Sequence, residues 1–272
     1  MARVFGVEKP IIGTIHLDPL PGAPRYRGED VELIIERAVE DAVRYAEGGL
    51  DALIVENEGD IPFLKPDDVG HETVAVMAVI ARAVVQAVNI PVGILCLANA
   101  TNQGLAIAKA SGARFVRANQ WANAYIANEG FVEGSAAKAL RYRSAIGAND
   151  VIILADVHVK HGSHAIVGDR SIVEQARDVE AFDADILIAT GERTGDPTSV
   201  AEVEAIRSAV TRPVLVGSGL NASNAAELMA HADGAIVGSA MKEGRVWWGR
   251  VSVENSREIM DQVRPFRNTL DS

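Results

Sequence analysis

The segment Ala155-Asp156-Val157-His158-Val159-Lys160-His161 sets an acid, a base and a cation two residues apart, the spacing at which the side chains of a β-strand leave from one face. A carboxylate that takes a proton, an imidazole that returns it and a cation that steadies developing negative charge are the parts of general acid/base catalysis. Thr14, His16 and Asp18 share a face in the same way, as do Arg117 and Asn119. Another apolar run ends Val55-Glu56-Asn57-Glu58-Gly59-Asp60; Glu56 abuts the apolar residues and is preferred over Glu58 as a rigidly held group. Asn99 follows a further such run.

Plainer accounts exist for each residue. Asp156 and Lys160 can form an ion pair that closes a polar layer, and His16 can be a hydrogen-bonded core histidine. Arg117 within a strand needs an anionic partner, which can be Glu56, Asp156 or a substrate. Taken together the group favours function, because buried charges are costly unless paired or used. A divalent metal is conceivable, since His16, Glu56, Asp156 and His158 are ligand types that such ions accept. Asp-x-His is no metal signature by itself, however, and the acid/base reading needs no cofactor. Cys96 is the only cysteine, which excludes an intrachain disulfide and a Cys-based zinc site.

Positioning these groups requires strands, and the short apolar runs bounded by turn residues are 10–17, 51–57, 91–97, 113–119, 151–158, 185–191, 213–217 and 234–238. Stretches with helical spacing lie between them, such as 31–46 with Ile34, Ala38, Ala42 and Tyr45, and 74–88 with Met77, Ala81 and Val84. Alternation of strand and helix implies a parallel sheet, and eight units of about thirty residues favour closure into a (β/α)8 TIM barrel spanning residues 1–272 as one domain. The loop Pro19-Leu20-Pro21-Gly22 after the first run lacks the glycine pattern of a dinucleotide fold.

The seventh run ends Val216-Gly217-Ser218-Gly219 and the eighth Val237-Gly238-Ser239-Ala240. In such barrels the loops after the last two strands hold phosphate, glycine letting backbone N–H groups approach the anion. Tight turns are the commoner use of glycine, but paired Gly-Ser endings at this position favour phosphate. Lys242, shortly after, reads as a solvated lysine.

The net charge of −11 and the lack of clustered Lys and Arg argue against a nucleic-acid partner. No run is long enough for membrane insertion, and the start reaches Glu8-Lys9 without a signal-like stretch, so a cytoplasmic protein is expected. Trp247-Trp248 hints at a contact between subunits of a homo-oligomer, although such pairs more often pack on their own chain.

The ordered motifs Pro10-Ile11-Ile12-Gly13-Thr14-Ile15-His16-Leu17-Asp18-Pro19-Leu20-Pro21-Gly22, Val55-Glu56-Asn57, Phe115-Val116-Arg117-Ala118-Asn119, Asp156-Val157-His158-Val159-Lys160-His161, Thr190-Gly191-Glu192-Arg193-Thr194-Gly195 and Val216-Gly217-Ser218-Gly219 resemble the BtpA/SgcQ family of TIM-barrel proteins over about residues 9 to 265. One branch of that family is linked to accumulation of photosystem I and another to sugar-phosphate genes. The resemblance implies a phosphorylated small-molecule substrate. Thr190 then joins Arg117, Asn119 and Asn99 as a substrate-binding candidate. Residues 95–100, Leu-Cys-Leu-Ala-Asn-Ala, depart from the family's usual pattern of a polar residue followed by Arg-Asn-Asp.

The expectation is an isomerase, epimerase or lyase acting on a phosphorylated sugar or ribosyl compound. Asp156 or Glu56 removes a proton, His158 or His16 returns it, and Lys160 or Arg117 stabilises the oxyanion, unless Lys160 forms a Schiff base. The phosphate rests on Gly217, Ser218, Gly219, Gly238 and Ser239. The alternatives are a non-catalytic assembly or stability factor and a metal-dependent hydrolase.

Overall fold

A computed structural model of the chain describes residues 1–191 and 198–267. Eight parallel strands close a barrel: β1 (Ile11–His16), β2 (Ala52–Glu56), β3 (Val92–Leu95), β4 (Phe115–Ala118), β7 (Ile152–Asp156), β9 (Ile186–Ala189), β10 (Val214–Val216) and β11 (Ala235–Val237). Around the ring the order is β1-β11-β10-β9-β7-β4-β3-β2, and the ring closes through β1 paired with β2. β5 (Ala124–Ala127) and β6 (Gly130–Glu133) form a hairpin after β4, and the two-residue β8 (Gly162–Ser163) after β7 pairs with β5. That small antiparallel sheet was not legible in the sequence.

Helices α2 (Val31–Glu47), α3 (His71–Ala87), α4 (Thr101–Ser111), α5 (Ala136–Ala145), α6 (Ile172–Ala181), α7 (Val200–Ala209), α8 (Ala225–His231) and α9 (Val253–Val263) surround the barrel. α2 shows why: Ile34, Ala38, Ala42 and Tyr45 repeat at helical spacing and are buried, while Asp30 accepts a hydrogen bond from the Glu32 N–H at the start. Side-chain oxygens of Ser171, Ser199 and Ser252 cap α6, α7 and α9 in the same manner. Gly112, at φ +88°, ends α4 in the left-handed conformation that glycine tolerates best. No helix among the described residues is long and apolar enough to cross a membrane.

Strand parity divides two cores. Ile11, Ile15, Leu53, Val55 and Val116 face the helices. Ile12, Ala52, Ile54, Phe115, Leu154, Ile186, Ile188, Leu215 and Ile236 fill the barrel interior, each large side chain adding on the order of 2 kcal/mol by burial. The short α1 (Ala2–Phe5) closes the bottom, where the rings of Phe5 and Phe115 meet edge-on with centroids 5.4 Å apart. Two residues further up each strand, at the same parity, the chemistry changes: Ile12 gives way to Thr14, Ile54 to Glu56, Phe115 to Arg117, Leu154 to Asp156, Ile188 to Thr190, Leu215 to Gly217 and Ile236 to Gly238. On these seven strands the top layer is therefore polar or bare, while β3 keeps Leu95 beside Glu56, and the strands end in this layer.

Candidate active site

A cavity of about 640 Å³ opens above that layer. Thr14 and His16 of β1, Glu56 of β2 and Glu58 after it line it, as do Arg117 and Asn119 at β4 and Lys160 after β7. Gly217, Ser218, Gly219, Gly238 and Ser239 form its wall beyond β10 and β11.

His16 is held from one side, its Nδ1 lying 2.8 Å from the carbonyl oxygen of Trp247. A carbonyl only accepts, so Nδ1 carries the hydrogen and Nε2 is left toward Glu56 Oε2, 3.5 Å away. Burial pushes the Glu56 carboxyl up, but the His16 hydrogen bond and the nearby charges of His16, Arg117 and Lys160 outweigh it and keep the group below the ordinary range. Two residues on, burial and the negative charge of Glu56 push Glu58 above its ordinary value, against the pull of His16, Lys160 and Lys242. The preference for Glu56 over Glu58 on rigidity alone thus passed over an acid that environment keeps protonated more readily. Burial and the positive charge of Arg117 lower Lys160 from the usual ammonium range, despite Glu56, Glu58 and Asp156.

Asp156 does not pair with Lys160. Its two oxygens accept from Arg117 Nε and Nη2, both at 2.9 Å, and it also accepts from the Thr190 hydroxyl. This bidentate pair is buried; burial lowers the Arg117 guanidinium, but the Asp156 charge and hydrogen bonds outweigh it and raise the group above its ordinary value. Asp156 and Thr190 lie beneath the cavity rather than in its wall and fix the guanidinium that Arg117 presents to it.

Two expected site residues lie elsewhere. β7 stops at Asp156 and the chain turns, so parity no longer applies to residue 158. His158 leaves the mouth for a separate depression bounded by α6 and α7, where its ring lies 3.6 Å from that of His164, which in turn stacks on Tyr125 at 5.1 Å. Burial first and then the neighbouring His164 push His158 down to about 4, so it is a neutral prop for the small sheet. Asn99 is also out of the cavity. Its side chain accepts from Gln120 N–H at 2.9 Å and donates to the carbonyls of Gln120 and Glu133, stitching the loop after β3 to the one after β4. The four residues named as possible metal ligands therefore do not converge, and among the described residues no group of three or more His, Cys, Asp or Glu does. Glu192, Arg193, Thr194 and Gly195 lie outside the described residues.

Lys242 is the reverse case. Expected in solvent, it is 1% exposed, donates to the Trp247 carbonyl at 2.9 Å and is pushed down to about 8 by burial, against the pull of Asp41, Glu56 and Glu58. Lys242 and His16 thus hold one carbonyl from two sides.

The Gly-Ser loops are tight for steric reasons. A Cβ at Gly217 would lie 2.4 Å from Ile188 Cγ2 and 2.6 Å from Thr190 Oγ1, and one at Gly238 would lie 2.7 Å from Thr14 Oγ1. A side chain at Gly217 would therefore disturb the fold as well as any ligand. Gly219, at φ +75°, is braced by the side-chain amides of Asn221 and Asn224, which donate to its carbonyl.

Three buried oxygens of the cavity wall have no protein partner among the described residues: Thr14 Oγ1, Glu56 Oε1 and Asn119 Oδ1. Buried polar atoms left this way cost free energy until something hydrogen-bonds to them.

Residues 7–265 match the profile of the BtpA family. An uncharacterized protein of Archaeoglobus fulgidus is 43% identical over 93% of this chain and 98% of its own length. The photosystem I biogenesis protein BtpA of Synechocystis is 38% identical over 88% of this chain and 83% of its own. Among solved structures, N-(5'-phosphoribosyl)anthranilate isomerase of Pyrococcus furiosus superposes with a TM-score of 0.57 at 13% identity, covering 94% of this chain and 99% of that one; this likeness is one of fold.

Proposed function

The chain belongs to the BtpA family, and from that premise we propose that its barrel is an enzyme acting on a phosphorylated sugar or ribosyl compound by acid/base chemistry. One observation carries the reading: the three partnerless oxygens, Thr14 Oγ1, Glu56 Oε1 and Asn119 Oδ1, share a cavity with the paired Gly-Ser loops. Acceptors of this kind suit the hydroxyls of a sugar. The loops suit its phosphate, which takes backbone N–H groups where no side chain intervenes.

In this scheme the phosphate sits at Gly217–Ser218–Gly219 and Gly238–Ser239, and the sugar extends toward β1, β2 and β4. Glu56, kept ionised, removes a proton from the carbon next to the carbonyl. Glu58, kept protonated more readily, or the His16 ring as imidazolium, through Nε2, gives one to the carbonyl oxygen, forming an enediol. Arg117 and Lys160 offset the charge developing on that oxygen. Return of the Glu56 proton to the neighbouring carbon, while the other enediol hydroxyl gives its proton back to the acid, completes an isomerisation; protonation of the original carbon from the opposite face, with the first carbonyl re-formed, is an epimerisation. Two carboxylates driven apart by their environments divide the acid and base roles between them. Asp156 is a positioning residue for Arg117.

The test is to incubate the protein with aldose and ketose phosphates in D2O and follow loss of the carbon-bound proton by NMR. Exchange with one of them, competed by inorganic phosphate and lost in Glu56→Gln, is the expected result. Failure of every sugar phosphate and of inorganic phosphate to bind would refute the reading. The name of the Synechocystis relative favours a second one, a non-catalytic assembly factor, for which sugar phosphates would bind without exchange.

A further inference from the structure

We infer that the ligand carries an apolar, ring-sized group at the end opposite its phosphate, so that its class is an aryl-substituted sugar phosphate and not a bare one. This deepens the reading above and rests on it.

The barrel's own topology separates the two ends. In the ring order the phosphate loops follow β11 and β10, while β4 and β3 lie four strands away from them, directly across the mouth. On that far side Arg117 and Asn119 keep the wall polar at β4, and an apolar stretch begins beside them at β3. Ile61, Pro62 and Phe63, from the loop after β2, and Leu95 and Leu97, at the end of β3, line the cavity there. Tyr125, from the small sheet, adds a ring to the same cavity and is itself packed on His164.

This wall is built to stay in place. The Asn57 side chain accepts from Leu97 N–H at 2.7 Å and donates to Asp60 Oδ2 at 2.9 Å, while Asp60 Oδ1 accepts from Leu20 N–H at 2.8 Å. Asn57, Asp60 and Leu20 are buried, and the loops after β1, β2 and β3 are locked together. Rigid apolar surface facing a cavity gains by contact with apolar ligand atoms, and sugar hydroxyls placed there would lose hydrogen bonds to water without replacement.

Size points the same way. A pentose phosphate at protein packing density fills on the order of 200 Å³, well short of the cavity's about 640 Å³. With the phosphate at one end and the hydroxyls on Thr14, Glu56 and Asn119, the cavity keeps room for a further group, and the apolar stretch borders that room.

Calorimetric titration of the full chain with inorganic phosphate, ribose 5-phosphate and the 5-phosphate of a 1-phenyl C-riboside tests this directly. The aryl compound is expected to bind at least tenfold more tightly than ribose 5-phosphate, and that ratio is expected to fall below about threefold in Phe63→Ser and in Leu97→Gln, variants in two different loops. Equal affinity of the two sugar phosphates, both displaced by inorganic phosphate, would overturn this inference and leave the parent reading standing. An aryl advantage undiminished in folded forms of both variants would also overturn it, since the wall would not be the seat of the group. Binding of none of the three compounds would overturn both, and the comparison of ligands on the unaltered chain holds even where a variant fails to fold.

Discussion

The two ends of the barrel interior are built from the same strands at the same parity, yet they obey opposite rules. At the bottom Ile12, Ile54, Phe115, Leu154 and Ile236 pack on one another, and Phe5 of α1 seals them from below. At the mouth, two residues along, stand Thr14, Glu56, Arg117, Asp156 and the bare backbone of Gly238, with three oxygens left unpartnered among the described residues. The bottom lowers the free energy of the fold by burial. The mouth spends part of that stability on buried charge and unsatisfied acceptors, which a folded protein tolerates where they meet a ligand.

The largest expected effect lies where the two rules touch. Asp156→Ala leaves the Arg117 guanidinium buried without its partner and should cost about 3–5 kcal/mol in denaturant unfolding. The double variant Arg117→Met, Asp156→Leu should regain most of that loss while abolishing ligand binding, since it extends the bottom's apolar rule upward. Recovery of neither stability nor foldedness would mean that the pair specifies the barrel and does not merely arm its mouth.

Phe5→Ala, at the bottom, should cost about 3 kcal/mol through the cavity it leaves against Phe115, with ribose 5-phosphate affinity unchanged. A change in affinity would show that the ends are coupled.

Lys242, beneath the mouth, should make stability depend on pH. Its folded value is pushed down to about 8 from an ordinary 10.5, so between those values the unfolded chain binds more protons and stability rises with pH. The Lys242 share of that rise from pH 8 to 10 should be about 2 kcal/mol, with Lys160, also lowered by burial, adding to it and the Cys96 thiol, pushed up to about 12 by burial, opposing it. Above pH 10 the buried Tyr45, whose phenol is shifted upward by burial, opposes any further rise, because the unfolded chain then ionises first. Lys242→Met should remove that share, and the difference between the two chains in unfolding across the window reads it.

The smallest effect sharpens the contrast most. Thr14→Val removes a partnerless hydroxyl without changing shape, so stability should rise by about 1 kcal/mol while ribose 5-phosphate affinity falls about three- to tenfold. A loss of stability with unaltered affinity would assign that hydroxyl to the fold.

Much of this was legible before any coordinates. Strand and helix alternation carried the closed barrel, because each unit's hydrophobic period is a local property of the chain. Parity carried the shared orientation of Thr14 with His16 and of Arg117 with Asn119, because alternation along a strand is also local, and Glu56 was legible from its place at the end of an apolar run. What parity could not supply was the point at which each strand stops. β7 ends at Asp156, so His158, one period on, belongs to a stack with His164 and Tyr125, while Lys160 returns to the mouth. Long-range contacts likewise decided that Asp156 takes Arg117 and not Lys160, that Asn99 ties two loops, and that Lys242 is buried under Trp247. Each of these depends on which backbone carbonyls, amides and charges other segments bring alongside. Desolvation, which separates Glu58 from Glu56, is set by the whole surrounding fold and by nothing in the spacing of the two residues.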